Sequence, residues 1–334
     1  MSATPPPFTE LVDLAAERVG GAVLLANDEF FAPKESLLRA SAPQWREGEY
    51  TDRGKWMDGW ETRRRRTPGH DWCIVRLGLP GLLHGVVVDT SFFRGNFPES
   101  CSLDAAVVTG TPTPQDVADE SRTKWTNILP QAKLKGDTRN EFEIRGAPKV
   151  THLRFCIYPD GGVARLRVYG EPVFDPTRIP KQSEIDLAAM ENGGLVVGCS
   201  DMFFGHRHNL ILPGRSTHMG DGWETKRRRG PGHDWIVVRL AARGTLHRVE
   251  IDTDHFKGNA PASCIVETLD APRDARSTRA PDGAWKTLLA QSALQAHSRH
   301  RFEQVAHAQP ATHARLSIFP DGGIARLRLF GHVT

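Results

Sequence analysis

Two histidine–aspartate pairs, His70–Asp71 and His233–Asp234, each follow a Pro-Gly dipeptide in almost the same run of residues: DGWETRRRRTPGHDW from Asp58 and DGWETKRRRGPGHDW from Asp221. Pro-Gly marks a tight loop at the mouth of a strand. A loop histidine beside an aspartate that orients it is a general acid or base near neutral pH. The plainer reading is a turn histidine bonded to backbone. Glu61 and Glu224, inside the WET triplets, add a second acid to each copy. The cations that follow, Arg63, Arg64, Arg65 and Arg66 against Lys226, Arg227, Arg228 and Arg229, admit three readings. A phosphate-binding arm is the weakest, because such arms are low in complexity and this run lies between two ordered-looking, duplicated segments. Pairing with Glu61, Asp89, Glu224 and Asp252 inside the fold is the plainest. Bidentate capture of a small carboxylate by Arg63, Arg65 or Arg228 is the functional one, the task that a guanidinium fork suits best.

A second duplicated stretch, DTSFFRGN from Asp89 and DTDHFKGN from Asp252, ends a strand-like run. Asp89, Arg94 and Asn96, with Asp252, Lys257 and Asn259, would form a binding rim. The structural alternative is a turn in which Gly95 and Gly258 take a positive φ. Arg and Lys are not equivalent at a bidentate site, so Arg94 against Lys257 hints that the copies bind differently. Asp28 and Asp201 read as functional acids or turn caps, and Asp160 and Asp321, in PDGG, as hairpin-turn residues. Trp72 and Trp235 read as core anchors. No cofactor is expected. A divalent metal is the alternative, with His206 and His208 on one side of an extended piece and no matching pair in the first copy.

These residues need a scaffold that is itself repeated. Asp58 and Asp221 begin segments that agree at 16 of 20 positions, and four such segments recur in the same order about 163 residues apart. The unit is therefore a whole domain, with expected limits of 1–176 and 177–334 and a linker over EPVFDPTRIPKQ, Glu171 to Gln182. Runs such as WCIVRLG, GVVVDTSF, THLRFCIYP and VARLRVYG are short, rich in β-branched residues and separated by Gly, Pro and Asp. They predict an all-β fold, an antiparallel sandwich or jelly roll in each unit. Few helices are expected: Phe8 to Arg18, its counterpart from Ser183, and WKTLLAQSAL from Trp285.

The 334 residues carry a net charge of only +3, with 39% hydrophobic and 25% charged residues, a globular mixture without general affinity for nucleic acid. Five well-separated cysteines, without a CxxC pair, predict reduced thiols and a cytoplasmic protein. The start, MSATPPPFTELVDL, has neither a basic nor an apolar targeting region, and no membrane span is expected. GxSxG, P-loop and GxGxxG motifs are absent, which argues against serine esterase and nucleotide chemistry.

Taken together, DGWETRRRR..GHDW, DTSFFRGN, the NDEFF start at Asn27 and IYPDGGVARLR from Ile157 resemble the allantoicase family, over nearly the full length and duplication included. The resemblance implies two galactose-binding-like jelly-roll sandwiches, a small ureide as partner, and hydrolysis of allantoate to (S)-ureidoglycolate and urea. The bond to break joins a tetrahedral carbon to a urea nitrogen, so the site needs an arginine for the carboxylate, an acid/base pair and amide-binding groups. His70, Asp71, Glu61, His233, Asp234 and Glu224 are the catalytic candidates. One site in each unit, one between them, or a single live copy would all suit the doubled motif. A non-catalytic carbohydrate-binding pair of sandwiches is the alternative function, and a homo-oligomer is expected from the fold.

Overall fold

A strand that starts directly after the Pro-Gly-His turn organises each repeat. It runs nineteen residues in both, Asp71–Asp89 and Asp234–Asp252. In the second repeat its first part, Asp234 to Arg239, pairs with Ala311–Phe319 and with Leu195–Cys199. After a register break before Gly244, its second part pairs with Arg326–Val333 and Arg299–Phe302. One strand thus passes from one layer to the other, as strands do at the corner of a sandwich. The first repeat repeats this pattern: Asp71 to Arg76 pairs with Lys149–Tyr158 and Ala22–Ala26, and Gly85 to Asp89 with Arg139–Glu143. Strands Ser100–Ala106 and Thr126–Lys133 complete one layer, and Arg165–Pro172 and Val12–Asp13 the other. Both repeats are two-layer jelly-roll β-sandwiches.

This computed structural model describes residues 7–146, 149–180, 182–272, 282–306 and 309–334. The chain divides into two compact units, Met1–Glu171 and Pro172–Thr334. Lys181, in the expected linker, and residues 1–6, read above for targeting, lie outside the described residues. Among those described, no helix is long and apolar enough to cross a membrane. The inner faces are closed by fully buried Ile74, Val75, Val86, Leu103, Leu153 and Phe155 in the first unit and by Ile236, Val238, Val249, Leu316 and Leu327 in the second. Each such side chain contributes about 1.5–3 kcal/mol.

The three expected helices do not form. Phe8 to Arg18 becomes two 3-10 turns around the short strand Val12–Asp13. Its counterpart becomes strand Ile185–Asp186 and the turn Met190–Asn192. Backbone partners on neighbouring strands outcompete the helix: Leu14 N–H donates to Val168 O and Leu187 N–H to Leu329 O. WKTLLAQSAL holds strand Lys286–Ala293, paired with Ser263–Leu269. Two register breaks there spoil the period of two, so adjacent Leu288 and Leu289 are both buried, a pattern that imitates a helix. One five-residue α-helix, Pro114–Ala118, is present among the described residues, capped by Thr113.

Candidate active site

The WET triplet is fixed from both sides. Trp60–Glu61 pairs with Gly162–Val163, and Trp223–Glu224 with Gly323–Ile324. Trp60 and Trp223 are fully buried, and their indole N–H groups donate to Asp28 O and Asp201 O, each at 2.8 Å. Close approach explains the second glycine of PDGG: a Cβ on Gly162 or Gly323 would stand 2.0 Å from the ring of Phe93 or Phe256.

This anchoring brings together residues that are distant in sequence. The Asn96 side-chain amide donates to Glu61 Oε1 at 2.7 Å, and Asn259 donates to Glu224 Oε1 at 2.5 Å. Both glutamates are buried. Burial pushes the Glu61 carboxyl above its ordinary pKa, against the opposing pull of the Asn96 hydrogen bond. In the second repeat the pair opens on a cleft of about 580 Å³ lined also by Phe204, Thr225, Arg227, Arg228 and Asp321.

The cationic runs divide residue by residue. The Arg63 guanidinium binds Asp28 and Arg65 binds Asp71, while Lys226 faces Asp201 and Arg228 binds Asp234. The expected pairing of these cations with Glu61, Asp89, Glu224 and Asp252 therefore does not occur, because other acids reach them first. Arg64, Arg66, Arg227 and Arg229 are exposed and make no ion pair among the described residues. Arg227 lines the cleft. The sequence reading singled out Arg63, Arg65 and Arg228 from these runs and passed over Arg64 and Arg227. It also undervalued Asp160 and Asp321, whose carboxylates accept the N–H of Arg65 and Arg228, each at 2.8 Å, instead of serving their own turns.

The other candidates sit elsewhere. Asp71 does not orient His70: its Oδ1 accepts from Arg65 and from Asn27, and Asp234 is likewise held by Arg228 and Ser200. His70 packs against Tyr158, ring centroids 4.7 Å apart, in a separate cleft of about 420 Å³ with Trp72, Asp104 and Arg154. Burial, then the charges of Arg154 and Arg65, lowers its pKa. His233 packs on Phe319 in the same way. Trp72 and Trp235 are half-buried instead of core anchors; Trp72 walls this cleft, and Trp235 packs on Val237, Leu269 and Trp285. Asp89 and Asp252 cap the turns that follow them, accepting from Ser91 N–H and Asp254 N–H. In those turns the positive φ falls on Phe92 and His255, not on Gly95 and Gly258. Arg94 pairs with Asp137 on the surface, and Lys257 is exposed. Asp28 and Asp201 cap Phe30 and Phe203. The His206 ring accepts the N–H of His208, and among the described residues no group of three His, Cys, Asp or Glu is placed to hold a metal ion.

The chain is similar to known proteins over nearly its full length. The allantoicase repeat model matches residues 12–173 and again 185–334. A probable allantoicase of Pseudomonas aeruginosa is 48% identical over 335 residues, covering 99% of this chain and 98% of the relative. The allantoicase of Dictyostelium discoideum is 46% identical, covering 96% and 87%. A crystal structure of allantoicase from Saccharomyces cerevisiae superposes with a TM-score of 0.79 at 34% identity, covering 97% of this chain and 93% of that one.

Proposed function

The chain belongs to the allantoicase family, and on that premise we propose how its repeated cleft works. The protein is a hydrolase of purine degradation that converts allantoate and water to (S)-ureidoglycolate and urea. One observation carries the assignment of residues: a buried glutamate held by an asparagine in both repeats, with an arginine without a counter-ion lining the same cleft in the second.

Arg227, or Arg64 in the first repeat, takes the allantoate carboxylate in bidentate fashion. Glu61 is the general acid, its protonated state favoured by burial, and Glu224 takes the same place in the second repeat. The acid gives its proton to the nitrogen of the departing ureido group as the C–N bond breaks, while the lone pair of the remaining ureido nitrogen forms a C=N bond. Urea leaves. Water adds to that carbon and loses its proton to the same glutamate, which is thereby reset. The atoms balance: one water enters, one urea leaves, and the α-carbon exchanges nitrogen for oxygen. Asn96 and Asn259 fix one carboxyl oxygen so that the other addresses the substrate. His70 and His233, packed against Tyr158 and Phe319, relay protons to that site. The carbohydrate-binding alternative is not favoured.

We also place the protein in the cytoplasm as a homo-oligomer. None of the five cysteines forms a disulfide among the described residues, and burial pushes the Cys101 and Cys264 thiols to about 12. Light scattering on the purified chain tests the assembly.

Urea release from allantoate by the Glu61→Gln/Glu224→Gln double variant tests the mechanism. Turnover near the native rate would refute the glutamate role.

A further inference from the structure

We infer that Asp321 and Asp201 in the second repeat, with Asp160 and Asp28 in the first, are positioning residues for the arginine that binds the substrate carboxylate. This rests on the reading of Arg227 and Arg64 given above.

Each such arginine is flanked by two pinned neighbours. Lys226 N–H donates to Asp201 Oδ1 at 2.8 Å, and Arg228 N–H donates to Asp321 Oδ2 at 2.8 Å. In the first repeat Arg63 N–H donates to Asp28 Oδ1 at 3.0 Å and Arg65 N–H to Asp160 Oδ2 at 2.8 Å. The backbone is thus held immediately before and after the arginine between them. Side chains add to the clamp, because Arg228 and Arg65 also close on Asp234 and Asp71. Asp201, Asp321 and Asp234, like Asp28, Asp160 and Asp71, are thus engaged by these neighbours, and the central guanidinium makes no ion pair among the described residues.

A turn aspartate that merely closed its own hairpin would accept a hydrogen bond from that turn. The Asp321 bond instead reaches a residue 93 positions away, and the Asp160 bond one 95 positions away. Thr225 N–H donates to Gly322 O, and Thr225 Oγ1 accepts Gly322 N–H, each at 3.1 Å, which docks the PDGG turn against the motif. Thr62 and Gly161 do the same in the first repeat. Burial works against the Asp28 carboxylate, but the N–H groups of Arg63 and Phe30 and the Arg63 guanidinium outweigh it and hold its pKa below the usual range. An arginine preset in this way loses little freedom on binding substrate, which is what a misplaced one would forfeit.

The experiment measures steady-state urea release in a Glu61→Gln background, so that the second repeat is read alone. Asp321→Ala should raise KM for allantoate by about tenfold with a smaller change in kcat. Asp321→Asn, which keeps an acceptor oxygen, should restore most of the loss. Arg227→Ala should raise KM further, and adding Asp321→Ala to it should change nothing more, since residues acting through one group are not additive. Asp201→Ala should show the same pattern, which guards against one variant that fails to fold. Additive penalties in the double variant, or an unchanged KM in Asp321→Ala, overturn the inference. An unchanged KM in Arg227→Ala refutes the carboxylate assignment itself and removes the inference with it.

Discussion

The two repeats share their acid, amide and cation yet differ in what lies over them. Between the aromatic pair and the motif aspartate, the first repeat (Phe31 to Asp58) is ten residues longer than the second (Phe204 to Asp221). The extra chain folds into the hairpin Tyr50–Thr51 and Gly54–Lys55. Its Arg53 donates to Phe30 O at 3.2 Å and lies over the Phe30 ring, and Gly54 stands against Phe31. Trp45, under the Lys55 ammonium, meets Phe92 with ring centroids 5.9 Å apart. One insertion therefore ties Phe31, whose counterpart Phe204 lines the second cleft, to the loop that carries Asn96. In the second repeat Phe203 and Phe204 are 69% and 61% exposed, against 40% and 37% for Phe30 and Phe31. Duplication preserved the Glu–Asn pair and changed what lies over the aromatic pair.

The sharpest way to break this comparison is to remove each acid separately. Glu224→Gln should lower urea release from allantoate by roughly 100- to 10,000-fold at the second repeat, the range of general acid–base contributions. Glu61→Gln should cost less of the total, because the hairpin covers the aromatic pair of its repeat. Equal losses from the two single variants would show that the hairpin does not restrict access. Next in size, Arg227→Ala should raise KM by about 10- to 100-fold, the worth of a charge-assisted hydrogen-bond pair. Arg229→Ala, three residues further from the Trp223–Glu224 ladder than its own Lys226, should leave KM nearly unchanged, and initial-rate curves for the two variants compare them directly. A smaller effect is expected from trimming the hairpin to the second repeat's length in a Glu224→Gln background, where activity should rise several-fold; no gain would mean that the first cleft is limited by something else.

The smallest difference concerns stability. Burial pushes the Asp186 carboxyl up to about 6, against the lowering effect of Arg328, and its counterpart Asp13 is raised in the same direction. A raised carboxyl favours the folded state fully below the ordinary value near 3.8, and that contribution is lost as pH rises through about 6. Over that window it amounts to something on the order of 3 kcal/mol. Asp186→Asn retains an acceptor for the Ala188 and Leu329 N–H groups. It should therefore flatten the dependence of unfolding free energy on pH between 4 and 6, as urea denaturation would show. An unchanged slope would assign the titration to other groups.

Much of the scaffold was legible because its signals are local. β-Branched runs punctuated by Gly, Pro and Asp marked the strands, and the repeated motif marked the duplication. The helices expected at Phe8, Ser183 and Trp285 failed where tertiary pairing captured the backbone or where register breaks disguised the alternation. The groups of the proposed site could be named from sequence, but their partnership could not. Glu61 and Asn96 could be named from sequence, but nothing in their 35-residue separation says that they touch.

The amino-acid sequence by itself determined the class of fold, the duplication and the inventory of chemical groups, since periodicity, turn residues and motif identity are properties of neighbouring positions. The tertiary structure alone decided which cations of each run are left without an ion pair among the described residues. That outcome depends on acids brought from Asp28, Asp71 and Asp160, or Asp201, Asp234 and Asp321, to within hydrogen-bond reach of the same few residues. Short-range electrostatics is settled by ångströms, and those distances exist only after the chain has folded.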